Sequence, residues 1–415
     1  MTKHSQSPRL EILRCRSTAE FSGKLAAALD GFRDIFPADP QARILLKPNL
    51  NSNMNALTGN TTDLRLLAAV LRFLKEAGYQ NIAIGEGTNS GFYRSGISVI
   101  TRLRVDALAK HFGVRCVDLN YSQPVLIPFA DGVQAGIAKE CAEAEFFINL
   151  PKLKTHFEAG MTVCLKNLIG CLVGQENKKK THLSLADNIV SITESCRPHL
   201  HIVDGLVAME GLGPTKGTPV RTDTVFVGDN PYFLDLIAAR FASCDIDKIG
   251  PLNAARRRGL ISGELLAAAK AFPLEEYERP FAPPKAGPLA SFIHHPKRQK
   301  YFLAIRNTRF FNWACNTELV GKLLFMTDLR QDVFLDEEMN CESLSLAADK
   351  CDRCGICAAY CPLGLALPDA LSDPACIRCL YCFCVCPRKA IEFHGRLGFM
   401  AEQLKQYDEI VRRIA

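Results

Sequence analysis

The sequence predicts an α/β fold, a mostly parallel sheet flanked by helices, with a small cysteine-rich module behind it. Three observations predict it. Short apolar runs that end in polar residues alternate with segments of helical spacing, as when crossover helices join parallel strands. The polar clusters fall where those runs stop, and open α/β sheets bind ligands at the carboxyl ends of their strands. Eight of the 18 cysteines fall in two runs of one spacing near the C-terminus.

From Arg43 the chain reads RILLKPNL, a buried strand ending in polar residues. Thr62 to Ala77 then sets Leu64, Leu67, Ala68, Leu71 and Leu74 on one helical face, with Gly78 placed to end the helix. NIAIGEG (81–87) is a second short strand ending in glycines. Ile100 to Phe112 reads as a helix, Val114 to Leu119 as a strand, and Glu145 to Leu150 as a strand stopped by Pro151. Leu200 to Asp204 and Thr224 to Val227 are further strands, and Pro231 to Ala242 a helix.

At Arg256-Arg257-Arg258 the character changes. Pro280, Pro283, Pro284 and Pro288 mark exposed connector, and His294-His295-Pro296-Lys297-Arg298 is basic. The aromatics from Tyr301 to Phe311, with Trp313, suit packing on a neighbour, and Leu319 to Leu329 reads as a helix. The expected organisation is an α/β domain over 1–255, a connector or docking subdomain over 256–344, the cysteine module over 345–395 and an amphipathic helix over 396–415.

Composition narrows the function. A length of 415 residues, 48% of them hydrophobic, allows two or three domains and a large core. No run approaches the roughly 18 apolar residues of a membrane span. The first ten residues are polar with no apolar stretch behind them, so no signal peptide is expected. Ten cysteines scattered outside the two runs fit a reducing cytoplasm. A net charge of +6 without a nucleic-acid motif argues against nucleic acid as partner, and suits an acidic electron donor or an anionic small-molecule substrate.

Cys351, Cys354, Cys357 and Cys361 precede Pro362; Cys376, Cys379, Cys382 and Cys386 precede Pro387. Both runs read C-x2-C-x2-C-x3-C-P, the spacing that wraps a cubane iron–sulfur cluster. Three thiolates two residues apart can hold three corners of a cube from one turn of chain. Zinc favours paired C-x2-C motifs, and disulfides need an oxidising compartment. Residues 345–395 resemble bacterial two-cluster ferredoxins. In that pattern the fourth cysteine of each run crosses to the other cluster. The resemblance implies two [4Fe–4S] clusters, one on Cys351, Cys354, Cys357 and Cys386, the other on Cys376, Cys379, Cys382 and Cys361. Cys384 lies outside the ladder, as a packed neighbour.

Four polar clusters stand at strand ends in the larger domain: Lys47-Pro48-Asn49-Leu50-Asn51 with Gly59-Asn60-Thr61-Thr62-Asp63; Gly85-Glu86-Gly87-Thr88; Pro151-Lys152-Leu153-Lys154-Thr155-His156 with Cys164, Lys166, Asn167 and Gly170; and Asp204-Gly205 with Glu210-Gly211-Leu212-Gly213-Pro214. The combination KPNL, PKLKTH…LKNLIG and VDG…MEGLGP resembles the family catalogued as domain of unknown function 362, over roughly 40–250. The resemblance implies the family's α/β domain and no established reaction.

Residue chemistry supplies the site candidates. Lys152, Lys154 and His156, with Lys166 converging on them, suit proton donation or capture of an anionic group, because lysine pKa falls readily on burial and histidine titrates near neutrality. Lys47, Asn49 and Asp204 are candidate substrate ligands at neighbouring strand ends. Glu86 suits an Mg²⁺ ion or a hydroxyl, or else a purely local role in its loop. Lys178-Lys179-Lys180 reads as a solvated run. Cys164 and Cys171 suit one buried helix face, with a metal site shared with His156 as the other reading. No G-x-G-x-x-G fingerprint is present, which argues against a nicotinamide site; a flavin is not indicated, though many flavin sites leave no short motif. The expected function is an iron–sulfur oxidoreductase fed by a ferredoxin- or flavodoxin-type donor. The alternatives are a non-catalytic electron carrier or assembly factor, and a non-redox enzyme with the clusters as sensor.

Overall fold

The structure is a computed structural model that describes residues 8–15, 17–89, 96–284 and 338–401, together with a few isolated positions. Thirteen strands occur among the described residues. They are β1 (Leu10–Arg14), β2 (Ile44–Pro48), β3 (Ile82–Glu86), β4 (Arg115–Asp118), β5 (Pro124–Pro128), β6 (Gln134–Ala138), β7 (Phe146–Leu150), β8 (Lys152–His156), β9 (Gly160–Thr162), β10 (Leu200–Glu210), β11 (Thr218–Gly228), β12 (Asn340–Leu346) and β13 (Ile391–Arg396).

The main sheet has the order β1-β11-β10-β7-β2-β3-β4. The pairs from β10 through β4 are parallel, while β11 runs antiparallel to both β10 and β1. β2, β3 and β7 are buried along their whole length, as expected of strands covered on both faces. Alternate residues serve opposite faces. Ile44, Leu46, Ile82, Ile84, Phe146 and Ile148 pack with the helices Thr18–Asp30 and Leu64–Glu76. Leu45, Ala83 and Phe147 pack instead with Ile127 and Ile137 of the β5–β6 hairpin and Ile192 of the helix Leu185–Cys196.

The helix expected over 62–77 spans Leu64–Glu76, and the Asp63 side chain caps it by accepting from Arg65 N. Gly78 follows at φ +90°, where glycine carries no steric penalty. Pro231–Phe241 is helical, with Asn230 as its cap. The segment expected as one helix over 100–112 is two, Val99–Arg102 and Val105–His111, because Arg104 adopts φ +62° and breaks the hydrogen-bond ladder. The strand at Leu200 runs on to Glu210, since β8 continues beside it after β7 stops at Pro151: Leu200 pairs with Ile148, and Asp204 with Lys152. β8 was legible only as a polar strand end, because its charged residues turn inward. Beyond β11, the helices Gly250–Arg257 and Gly263–Ala271 pack on Pro231–Phe241, burying Leu252, Ala254, Ala255 and Ala269. The expected helix over 319–329, the basic and aromatic stretch before it, and all but the start of the expected C-terminal helix lie outside the described residues.

The cysteine-rich segment carries the antiparallel β12–β13 pair and two short helices, Ile356–Ala359 and Tyr381–Val385. It shares one apolar core with the sheet domain: Tyr360, Leu380, Tyr381 and Val385 join the cluster that holds Leu64 and Leu67. Polar contacts tie the same seam. Leu64 N donates to the Tyr381 hydroxyl at 3.3 Å, Thr18 Oγ1 donates to Ala359 O at 2.5 Å, and the Arg65 guanidinium sits 4.2 Å above the Tyr360 ring. No helix among the described residues is long and apolar enough to cross a membrane.

Candidate functional site

The expected lysines, asparagine and aspartate meet where β2, β3 and β7 end and β8 begins, but they are buried and engaged with one another. Lys47, fully buried, donates to both Glu86 carboxylate oxygens at 2.9 Å and to Pro48 O at 2.9 Å. Glu86 also accepts from Leu50 N and Gly87 N, which fixes it locally in its loop. Burial raises the Glu86 carboxyl against the pull of Lys47. Asn49 donates to Asn167 Oδ1 at 2.8 Å and accepts from Lys154 Nζ at 3.0 Å. Asn167, which the sequence marked only as part of its motif, thereby joins β2 to β7 by donating to Asn149 Oδ1 at 2.7 Å.

Gly170 has a steric reason to be glycine. A Cβ there would lie 2.0 Å from Glu86 Oε1 and 2.7 Å from Lys47 Nζ. Gly170→Ala is therefore expected to wedge the buried pair apart, at a cost of about 3 kcal/mol or more. Chemical denaturation would read this as a lowered midpoint; an unchanged midpoint would show that the pair tolerates the displacement.

Lys152 and Asp204 form a second buried pair, 2.9 Å apart and both fully buried. Asp204 also accepts from Asp63 N at 2.6 Å and Leu206 N at 3.0 Å. Burial pushes Asp204 up. Against a burial penalty of its own, Asp63 is held below the usual carboxylate range by Arg65. Lys154 has no carboxylate partner among the described residues. It is 1% exposed and donates to Asn49 Oδ1 and, at 2.6 Å, to Asn60 O. Burial, then the neighbouring Lys166 and Lys152, hold its amine well below the ordinary lysine value.

These contacts have one direction in common. Lys152 through Asp204 grips Asp63 N, Lys154 grips Asn60 O, and Asn49 N donates to Thr62 Oγ1, which in turn donates to Leu150 O. Ser52 Oγ donates to Asn60 Oδ1, and Asn60 Nδ2 to Pro214 O. The strand-end lysines are thus posts behind the loop 49–63, which they hold in a fixed shape.

His156 is 5% exposed and stacks on Phe157 at 5.2 Å. Its Nδ1 accepts from Glu158 N and Ala159 N, which leaves the ring proton of the neutral form on Nε2. Burial and then Lys166 hold its pKa well below the usual value, so the ring is neutral at neutral pH. Lys166 is half-buried, and burial lowers its amine to about 8. Cys164 and Cys171 do not share a face. Cys164 packs among Leu153, Val190 and Phe233, whereas Cys171 packs with Cys141 and Cys196 in a separate cluster.

Lys178 departs from the solvated run expected of it. It is buried and donates to Gly87 O at 3.0 Å and Thr88 O at 2.8 Å, because the helix Gly174–Thr181 aims it at the loop after β3; burial lowers it to about 8. Lys179 pairs with Glu176, as a surface lysine does.

Asp235 was not foreseen. It is buried on Pro231–Phe241, accepts from Cys164 N at 2.7 Å and Leu165 N at 3.3 Å, and so fixes the turn that carries Lys166 and Asn167. Burial raises it from 3.8 to about 7. A raised carboxyl favours folding below its unfolded pKa and loses that advantage as pH rises to the folded value. From pH 3.8 to about 7 the wild type should therefore lose about 4 kcal/mol relative to Asp235→Asn. Unfolding of both proteins across that range checks it, and parallel curves would contradict it.

On the far side of the loop 49–63 lies a small, partly open pocket. Asn53, Asn55, Thr61, Thr62 and Leu64 form one wall; Cys379, Leu380 and Tyr381 form another; Arg102 to Val105, Met339 and Met400 complete it. Sequence reasoning missed this site, since no motif marks Arg104 or Tyr381. The only sequence signal was the position of residues 51–62 just past a strand end.

The cysteine runs repeat one backbone course at an offset of 25 residues. Arg353 (φ +55°) and Arg378 (φ +53°) precede the second cysteine of each run, and Gly355 (φ +77°) and Leu380 (φ +63°) follow it. Positive φ at three non-glycine residues is a strain the surroundings must impose. The chain brings Cys351, Cys354, Cys357 and Cys386 to one recess. The other four are also neighbours: burial and then Cys376 and Cys361 raise the Cys382 thiol, and Cys379 is raised by burial and by Cys382, Cys361 and Cys376. Among the described residues, no three His, Cys, Asp or Glu side chains converge closely enough for a single metal ion.

Known proteins add resemblance without a reaction. A thylakoid-associated protein of Synechocystis sp. is 28% identical over 257 residues, covering 57% of this chain and 73% of its own. The solved lactate racemase apoprotein of Thermoanaerobacterium thermosaccharolyticum aligns at 13% identity and a TM-score of 0.37, over 52% of this chain and 53% of its own. A Thermotoga maritima protein aligns at 11% identity and 0.28, over 61% and 60%. The chain thus spans less than two thirds of either solved structure. Residues 44–240 match the family described as domain of unknown function (DUF362).

Proposed function

We propose that the chain is an iron–sulfur oxidoreductase: two [4Fe–4S] clusters in residues 345–395 deliver electrons to a small anionic substrate, one with an unsaturated bond, seated against the loop 49–63. The observation that carries the reading is the crossed grouping of the cysteines. Cys386, the last of the second run, lines the recess of the first three, and Cys361, the last of the first run, neighbours the three cysteines of the second.

When bound, the clusters supply electrons one at a time. Cys354 is exposed, which suits entry from an external ferredoxin- or flavodoxin-type donor; Cys379 lines the pocket, which suits exit. Saturating a double bond there consumes two electrons from that donor and two protons from solvent. In this reading Lys152, Lys154, Lys47, Asn49 and Asp204 are positioning residues for the pocket wall, and no flavin is required.

The test is electron entry under anaerobic conditions. With Cys354→Ser, a reduced ferredoxin should no longer reduce the cluster held by Cys379 at the wild-type rate, while dithionite, a small reductant, still should. Equal rates with ferredoxin would remove the proposed path.

A further inference from the structure

Lys152 and Lys154 commit their amines to Asp204, Asn49 and Asn60. Lys166 and His156, grouped with them in the sequence, brace nothing. Lys166 Nζ makes no hydrogen bond and no ion pair among the described residues, and the attraction of Glu158 alone offsets its burial. His156 is 5% exposed, and both bonds it accepts fall on Nδ1, so the Nε2 proton of the neutral ring has no acceptor among the described residues. Donors in such positions cost free energy unless water or an anion completes them.

The fold fixes both groups in place. β8 pairs with β9 from Lys154 opposite Thr162 to His156 opposite Gly160, so the hairpin sets His156 beside its turn. The two backbone N–H groups on Nδ1 and the stack on Phe157 then set the ring's orientation. Lys166 rides the helical turn Cys164–Asn167, which is tied on either side of it: Asp235 accepts from Cys164 N and Leu165 N, and Asn167 donates to Asn149 Oδ1. Lys166 itself is part-exposed, so a ligand can meet its amine from solvent.

The charges nearby are unbalanced. After burial, Lys166 is the largest influence on both Lys154 and His156, and it lowers both. Glu158, the carboxylate facing them, is engaged with His182 Nδ1 at 3.3 Å; against its own burial, that contact holds it below the usual carboxylate range. An anion at Lys166 would relieve the repulsion and return its amine from about 8 toward the ordinary 10.5.

We infer that Lys166 Nζ and His156 Nε2 together bind a small oxyanion, a carboxylate or phosphate group, at the end of β8. The ammonium supplies charge and the neutral imidazole a directed N–H, a pairing suited to an oxygen anion. None of these residues lines the Cys379 pocket, and binding needs no electrons, so the inference goes beyond the proposed function and does not rest on it.

The experiment is competitive acetylation of anaerobically purified full-length protein with trace acetic anhydride across a pH series, the lysine peptides being resolved by mass spectrometry. The probes are inorganic phosphate and acetate at roughly millimolar concentrations, against chloride at matched ionic strength. In chloride Lys166 should titrate near 8. One probe or both should raise that titration by about one unit and slow its acetylation near neutral pH about tenfold. Lys248, whose side chain is 82% exposed, should not respond. A shift with phosphate alone assigns a phosphate head, one with acetate alone a carboxylate, and one with both an oxyanion site without preference. His156→Phe should lose most of the shift and His156→Gln, which keeps an N–H donor, should retain part of it. Identical titration of Lys166 in all three salts would overturn the inference, and this comparison needs only the wild type. A full shift in folded His156→Phe would overturn the paired site as well.

Discussion

Cys386→Ser is expected to abolish the same cluster that Cys354→Ser abolishes, although the two residues lie in different sequence runs. Each variant should retain about four irons where the wild type holds about eight, and the cluster that remains should be the one held by Cys361, Cys376, Cys379 and Cys382. Cys361→Ser should remove that second cluster instead. The prediction follows from the fold, since Cys386 lines the recess of Cys351, Cys354 and Cys357. Iron analysis with EPR of the reduced proteins decides it. If Cys386→Ser instead removes the cluster of its own run, the crossed assignment is wrong.

Lys152→Met should be the most damaging substitution among the strand-end lysines. It leaves the Asp204 carboxylate fully buried without its cation, a situation that typically costs 3–5 kcal/mol, written here as about 4 kcal/mol. Replacing both partners, Lys152→Met with Asp204→Leu, should recover part of that loss, because no uncompensated charge remains. Recovery should be incomplete, since Asp63 N would lose its acceptor. Urea unfolding of the single and double variants measures it. A catalytic lysine free of structural duty would instead leave the unfolding midpoint near that of the wild type.

The parallel core was legible because buried parallel strands are continuous apolar runs, and RILLKP, NIAIGEG and EFFINL fall on β2, β3 and β7. The crossing of β7 into β8 was not, because Lys152 and Lys154 interrupt the apolar pattern and their partners Asp204, Asn60 and Asn49 are distant in sequence. The same limit misread Lys178, whose acceptors are backbone carbonyls that a sequence cannot display. The strand-end polar residues were recognised as a group, but the hydrogen bonds by which they hold the loop 49–63 were not. Arg104 lay inside a regular helical pattern, and only the observed break sets it in the pocket wall.

In the proposed function residues 345–395 carry two cubane clusters, one of them held in part by Cys379 of the pocket wall. Its most direct test is anaerobic purification followed by iron, sulfide and zinc quantitation and EPR of the dithionite-reduced protein. The account predicts about eight irons and eight sulfides per chain, with signals of two reducible cubanes. Zinc bound in place of iron, or protein that folds with neither, would contradict it.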